Sequence, residues 1–247
     1  MTSNKQQKRI HDSKNAILEQ LSALRLPEII KPKFSLHPSD IGGQAILSIS
    51  DGVIGYHQPL LLNISLSIMT GENIAIMGDN GSGKTTLIRA ILGDPYVVKS
   101  GVWYGPKFDD IGYLDQHYGT ITSSKSVFET IQELVPHWSY AEIRRHLNDF
   151  LFRKNEEVNA MVSTLSGGEK VRLSLGQIAA KTPKLLILDE ITNNIDLETR
   201  DHVIQVLVEY QGAIIAISHD EEFLRAIKVI RVYEIRQGGM MYTSSRF

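Results

Sequence analysis

Asn73-Ile-Ala-Ile-Met-Gly-Asp-Asn-Gly-Ser-Gly-Lys-Thr-Thr-Leu-Ile-Arg-Ala-Ile-Leu92 joins a short apolar run to a glycine-rich turn and then to helical periodicity. Ile74 to Met77 reads as a buried strand, and Leu87, Ile88 and Ile91 recur at helical spacing after Thr86. Between them Gly78, Gly83, Lys84 and Thr85 occupy the fixed positions of G-x-x-x-x-G-K-[ST]. The glycines let backbone N–H groups turn inward around a phosphate, and a helix opening near Lys84 adds its positive end. Lys84 then reaches the β and γ phosphates, and the Thr85 hydroxyl can ligate Mg²⁺. A simple glycine turn before a helix would account for the glycines but not for the Gly-Lys-Thr-Thr run.

Further along, Leu185-Leu-Ile-Leu-Asp-Glu190 is an apolar strand that ends in two carboxylates. Ligands of α/β sheets bind at the C-terminal ends of the strands, so Asp189 can orient Mg²⁺ or its water and Glu190 can polarise an attacking water. Ala213 to Ser218 is a second strand of this kind, and His219 at its exit can hydrogen-bond a γ-phosphate or the attacking water. Ile111 to Asp115 is a third, with Gln116 at its exit. Leu165-Ser-Gly-Gly-Glu169 opens a helix through Val171, Leu175 and Ile178, and Gly167 and Gly168 expose its first N–H groups as a second anion-binding terminus. By itself Ser-Gly-Gly is also a routine turn.

The chain has 247 residues, 42% hydrophobic and 22% charged, and a formal net charge of -2. That balance is ordinary for a globular protein with a sizeable core and gives no reason to expect nucleic-acid binding by the whole chain. Residues 1 to 33 differ, with seven Lys or Arg against three acidic residues, an excess of four positive charges. Cysteine is absent, which excludes disulfides and suits a cytoplasmic location. No apolar run approaches the roughly 20 residues of a spanning helix, and the polar start does not resemble a secretory signal.

Ile17, Leu21 and Leu24 suggest an amphipathic basic helix that Pro27 stops, followed by a proline-containing linker to residue 43. Ala45 to Val53 and Leu60 to Met69 read as strands of an antiparallel edge, with Tyr56 in the turn between them. Ser100 to Pro106 is strand-like. Ser126 with Glu129 and Ser139 with Glu142 each fit a capping box, and they open the helices of an inserted segment at about 120 to 164. A helix through Val203, Leu207 and Val208, a short helix over Asp220 to Ile227 and a terminal hairpin from Val229 to Tyr242 complete the reading.

The ordered set resembles the nucleotide-binding domain of the ATP-binding-cassette (ABC) superfamily over residues 45 to 242. The resemblance implies an α/β fold: a P-loop NTPase of ABC type with an antiparallel β edge subdomain and an inserted helical subdomain. It makes Tyr56 the base-stacking aromatic residue and Gly78, Asp79, Asn80, Gly81, Ser82, Gly83, Lys84, Thr85 and Thr86 the Walker A loop. Gln116 becomes the glutamine that senses Mg²⁺ and nucleotide, and Ser166, Gly167 and Gly168 belong to the signature sequence. Asp189 ends the Walker B strand, Glu190 is the catalytic carboxylate, Asn194-Ile195-Asp196 is the D-loop and His219 the switch histidine. Thr85, Gln116 and Asp189 are the implied metal-binding set, and ATP and Mg²⁺ the implied ligands.

Phe150-Leu-Phe152, Leu165 to Lys170 and Ser218-His-Asp-Glu-Glu-Phe-Leu224 make the chain most similar to the ABC-F group, whose members act on ribosomes. The Lys-rich start resembles the end of the linker between the two cassettes of such proteins, so residues 1–43 are expected to form a linker and 44–247 a cassette. The D-loop departs from the usual Thr-Asn-His-Leu-Asp, since Thr192-Asn193-Asn194-Ile195-Asp196 replaces His by Asn and Leu by Ile, and Ile191 stands where Pro is usual. The resemblance implies ATP hydrolysis that needs a second cassette, with the ribosome, rRNA or tRNA as partner. Two alternatives remain open. One is the ATP-binding subunit of a membrane transporter docked on a permease; the other is a truncated cassette that binds only nucleotide or a partner.

Overall fold

The computed structural model describes residues 45–115, 124–193 and 195–244. The expected basic helix and linker, Gln116 and Asn194 lie outside them. In chain order the strands are β1 (Ala45–Gly55), β2 (Pro59–Met69), β3 (Asn73–Gly78), β4 (Val98–Tyr104), β5 (Ile111–Leu114), β6 (Leu185–Asp189), β7 (Ala213–Ile217), β8 (Arg231–Arg236) and β9 (Gly239–Ser244). The helices are α1 (Lys84–Leu92), α2 (Val127–Leu134), α3 (Tyr140–Asp149), α4 (Asn155–Asn159), α5 (Gly167–Lys181), α6 (Leu197–Glu209) and α7 (Glu221–Ala226).

Among the described residues the strands form one sheet in the order β4-β1-β2-β9-β8-β3-β7-β6-β5. β8, β3, β7, β6 and β5 run parallel, and β1 is antiparallel to both β2 and β4. The central strands read as unbroken apolar runs because both faces are covered. Alternation still sorts their side chains. Ile74, Ile76, Leu185, Ile187, Ala213 and Ile215 pack with α1 and the antiparallel strands on one face. Ala75, Leu186, Leu188, Ile214 and Ala216 pack with Val171 and Leu175 of α5 and Val203 and Leu207 of α6 on the other.

The helices between β5 and β6 start where the sequence indicates. Ser126 and Ser139 each accept from the N–H three residues on, and Glu129 and Glu142 close the capping boxes. Ile131, Ile143, Leu147, Phe150 and Phe152 fill the interior of this segment and continue into the core that covers α5 and α6. Two details go beyond the sequence reading. Phe150 and Leu151 continue the helical spacing of Ile143 and Leu147 in sequence, but α3 ends at Asp149 and Leu151 takes a left-handed backbone with φ 65°. The short helix α4, with only Val158 buried, offers too few apolar positions to register as periodicity.

Candidate functional site

The strand β3 delivers the loop Gly78 to Gly83, and α1 leaves it at Lys84. Gly83 holds the N-cap position at φ 109° with no side-chain cap. A Cβ there would be strained and would also press on Leu61 at 3.1 Å. The first N–H groups of α1 therefore remain available to an anion. Lys84 is buried at 8% exposure, and its Nζ donates to the carbonyls of Gly78 at 2.6 Å and Asp79 at 3.0 Å. Ser82 Oγ in the same loop is buried without a hydrogen-bond partner. An orphan hydroxyl, a folded-back ammonium and an uncapped helix start are the donors that a phosphate chain satisfies.

Asn80, Gly81, Gly83, Lys84, Thr85, Thr86 and Arg89 line a cavity of about 470 Å³ together with Tyr113, Asp115, Asp189 and Glu190. That volume lies in the range of small-molecule sites, roughly 300–1,000 Å³. Its walls oppose a cation to carboxylates. Burial pushes the Asp189 carboxyl above its usual range, with Glu190 and Asp115 adding in the same sense and the Tyr113 hydroxyl and Lys84 opposing. Tyr113 donates to Asp189 Oδ2 at 3.3 Å, and burial followed by the charge of Asp189 drives its own pKa far up. Among the described residues no group of three His, Cys, Asp or Glu side chains is arranged to hold a metal unaided. A divalent cation here would take Thr85 and Asp189 with phosphate and water oxygens, which fits a metal that arrives with a nucleotide.

Glu190 leaves β6 with φ 52°, a left-handed backbone that is costly for a side chain with a Cβ. Its N–H is tied to the Ile217 carbonyl at 2.9 Å, and its Oε2 accepts from Asn193 Nδ2 at 3.2 Å. Glu190 lines the cavity that Lys84 also lines.

Other expected residues lie elsewhere. Tyr56, 41% exposed, is outside that lining, but its hydroxyl is 3.4 Å from Arg89 Nη1, whose residue belongs to it. His219 is exposed and opens on a neighbouring cavity of about 530 Å³ with Gly78, Asp79, Glu221 and Arg236. Ser166, Gly167 and Gly168 are absent from the lining of the Lys84 cavity. Ser166 caps α5 in a closed box with Glu169.

Arg89, Tyr113 and Asp115 line the cavity without having been singled out in the sequence. Each had a signal. Arg89 is four residues after Thr85 and so shares its helix face. Asp115 leaves a short apolar strand as Asp189 does, and Tyr113 precedes it by one strand period.

The family model described as ABC transporter matches residues 61–193. "ABC transporter F family member 2" of Arabidopsis thaliana is 33% identical over 232 residues, covering 90% of this chain and 34% of that protein. "Putative ATP-binding protein YdiF" of Bacillus subtilis is 35% identical over 195 residues, 78% of this chain and 30% of that protein. The chain thus spans about a third of the length of these curated relatives. Among solved structures, cbiO1 from Clostridium perfringens, described as part of the ABC transporter complex cbiONQ, superposes with a TM-score of 0.66 at 24% identity, covering 81% of this chain and 88% of that one. That likeness carries the fold alone. A glycine-rich loop after β3, two carboxylates where β6 ends and a family match over more than half of the chain have one reading: the chain belongs to the ABC transporter family of ATP-binding cassettes, and F-type members are among its relatives.

Proposed function

We propose that the chain binds Mg-ATP and hydrolyses it when paired with a second cassette, and that turnover is coupled in the cytoplasm to control of translation on the ribosome, including protection of ribosomes from antibiotics. The observation that carries the ATPase reading is the single cavity lined by Lys84, Thr85, Asp189 and Glu190. Lys84 would leave the carbonyls of its own loop for the phosphates, and the N–H groups at the start of α1 would add donors. Bound Mg²⁺ would neutralise phosphate charge beside Thr85 and Asp189, with Gln116 as a further ligand. Glu190 would take the proton of the attacking water, and His219 would hold the γ-phosphate side of the site. Tyr56 would stack on the base.

Pairing is supported by where α5 begins. Ser166, Gly167 and Gly168 do not line the chain's own phosphate cavity, so their N–H groups would serve ATP held by a facing cassette. In a homodimer that arrangement is two-fold and puts two nucleotides at the interface. Glu190→Gln is expected to keep ATP affinity within about threefold, lower turnover about 100-fold or more, and prolong the ATP-bound pair. Lys84→Ala should weaken nucleotide binding and prevent pairing. Light scattering of Glu190→Gln in saturating Mg-ATP decides the assembly: a strictly monomeric species at tens of micromolar rules out the homodimer and leaves a heterologous cassette.

The ribosomal part rests on the F-type relatives and on the positive excess of residues 1 to 33. Co-sedimentation with ribosomes in ATP tests it, and removal of residues 1 to 33 should weaken binding and reduce its salt dependence. No helix among the described residues is long and apolar enough to cross a membrane. The competing transporter reading docks the chain on a permease, and co-purification with one would favour it.

A further inference from the structure

The turn that carries His219 is gripped by a residue outside every motif. Arg200, in the first turn of α6, is 19% exposed along its side chain. Its Nη2 donates to both carboxylate oxygens of Asp220, at 3.0 and 2.9 Å, and lies 3.8 Å from Glu222. Asp220 adjoins His219 in the chain and caps α7 by accepting from the Phe223 N–H at 2.9 Å. Its own N–H donates to Ser218 Oγ at 3.1 Å. Ser218 Oγ in turn lies 3.4 Å from Thr192 Oγ1, two residues past Glu190. The residues on either side of His219 are thus tied both to the turn after Glu190 and to α6.

The same turn of α6 meets the start of α5. Asp196 caps α6 by accepting from the Thr199 N–H at 2.9 Å, and Thr199 Oγ1 donates to Asp196 Oδ2 at 2.8 Å. Gly168 is buried against this pair. A Cβ on it would stand 2.7 Å from Thr199 Oγ1 and 3.0 Å from Asp196 Oδ2. Thr199 and Arg200 are consecutive in a helix, so the contact with α5 and the grip on Asp220 belong to one rigid turn.

We propose that Arg200 is a positioning residue for His219: through Asp220 it fixes the histidine turn to α6, so that a displacement of the N-terminus of α5 passes through Gly168 and Thr199 to His219. The inference rests on the ATPase reading above. The links are the close approach of Gly168 to Thr199, the helical turn that holds both Thr199 and Arg200, and the charge-assisted hydrogen bonds from Arg200 to Asp220 beside His219. It joins the loop expected to face one nucleotide to the histidine expected to face the other.

The test uses the full chain with Arg200→Ala, Arg200→Lys, Asp220→Ala, the double variant Arg200→Ala with Asp220→Ala, and Glu222→Gln as control. Arg200→Ala should lower kcat about tenfold with KM within twofold, and the double variant should be no worse than the single. Arg200→Lys, which can still donate to Asp220, should recover most of the loss, and Glu222→Gln should stay near wild type. The histidine Hε1 spectrum gives a second readout that needs no turnover, with His219 assigned by its loss in His219→Gln. Arg200→Ala should displace or broaden the His219 signal in the free protein and abolish its response to Mg-ATP. An Arg200→Ala protein whose His219 signal matches wild type overturns the inference, whether kcat is unchanged or falls only in step with thermal stability. A wild-type protein that fails to bind Mg-ATP would refute the ATPase reading instead, and the His219 spectrum of the free protein would still decide the role of Arg200.

Discussion

Glu190 stands in a left-handed backbone at φ 52° where β6 ends. Such a conformation costs a residue with a Cβ about 1–2 kcal/mol, whereas glycine adopts it freely but loses more chain entropy on folding. Comparing Glu190→Ala with Glu190→Gly isolates the Cβ, since both remove the carboxylate. The glycine variant is expected to be the more stable by roughly 0.5–1 kcal/mol, or about 2 °C in Tm. A glycine variant less stable than the alanine variant by that entropy cost, measured by calorimetry, would show that the turn stores no strain. The sequence reading located Glu190 from the apolar strand before it, but the strain depends on the tie between its N–H and Ile217, a contact across the sheet. Lys84 shows the same division. Its place in the loop follows from local spacing, while its fold-back onto Gly78 and Asp79 depends on the shape of the closed loop.

At the scale of elements, two imidazoles join the helices between β5 and β6 to α5 and α6. His146 Nε2 in α3 is 2.7 Å from the Gly176 carbonyl of α5, and His202 Nε2 in α6 is 3.1 Å from the Asp149 carbonyl at the end of α3. Rings crowd both. Trp138 and Phe150 lie 5.1 and 5.0 Å from His146, and Phe150 is 6.3 Å from His202. Burial depresses both pKa values below 6.5, against the hydrogen bonds to Gly176 and Asp149. The folded state then prefers neutral rings and the unfolded chain takes up the protons, so this stability is present above about pH 6.5 and is lost as the pH falls below it. Urea midpoints should drop between pH 7.5 and 5.5, and less steeply in His146→Gln with His202→Gln. A wild-type midpoint independent of pH over that interval would exclude the effect. The capping carboxylates Glu129 and Glu142 act in a lower window. Hydrogen bonds from the backbone and hydroxyl of Ser126 and Ser139 lower their pKa values, so their contribution is present above the usual carboxylate range and disappears as the pH falls through the depressed values. Those caps were readable because Ser-x-x-Glu is a local signal. The histidine contacts were not, since nothing in the chain near His146 points to Gly176.

For the whole molecule, the apolar runs at 74–76, 185–188 and 213–217 marked central strands because both faces of them are buried. β4 gave a weaker signal, since six of its seven residues are exposed and only Trp103 is partly buried, which is how an end strand reads. Strand order was beyond local pattern, because β3 lies between β7 and β8, whose residues come more than a hundred positions later. The same ordering leaves a seam. Among the described residues β2 meets β9 through one pair, Leu62 with Gly239, reinforced by the Leu62 N–H to the Gly238 carbonyl at 2.8 Å. On one side of that seam lie β1, β2 and β4, and on the other the strands that carry Lys84, Asp189 and His219. Backbone pairing is thin along that line, so the two groups are held together chiefly by the side chains of their shared core, and Leu61, close to Gly83, brings β2 up to the loop before α1. Amides of residues 45–69 should therefore lose deuterium protection together, at lower urea than those of 185–189, and a ligand bound at the loop beside Leu61 should raise the lower threshold toward the higher.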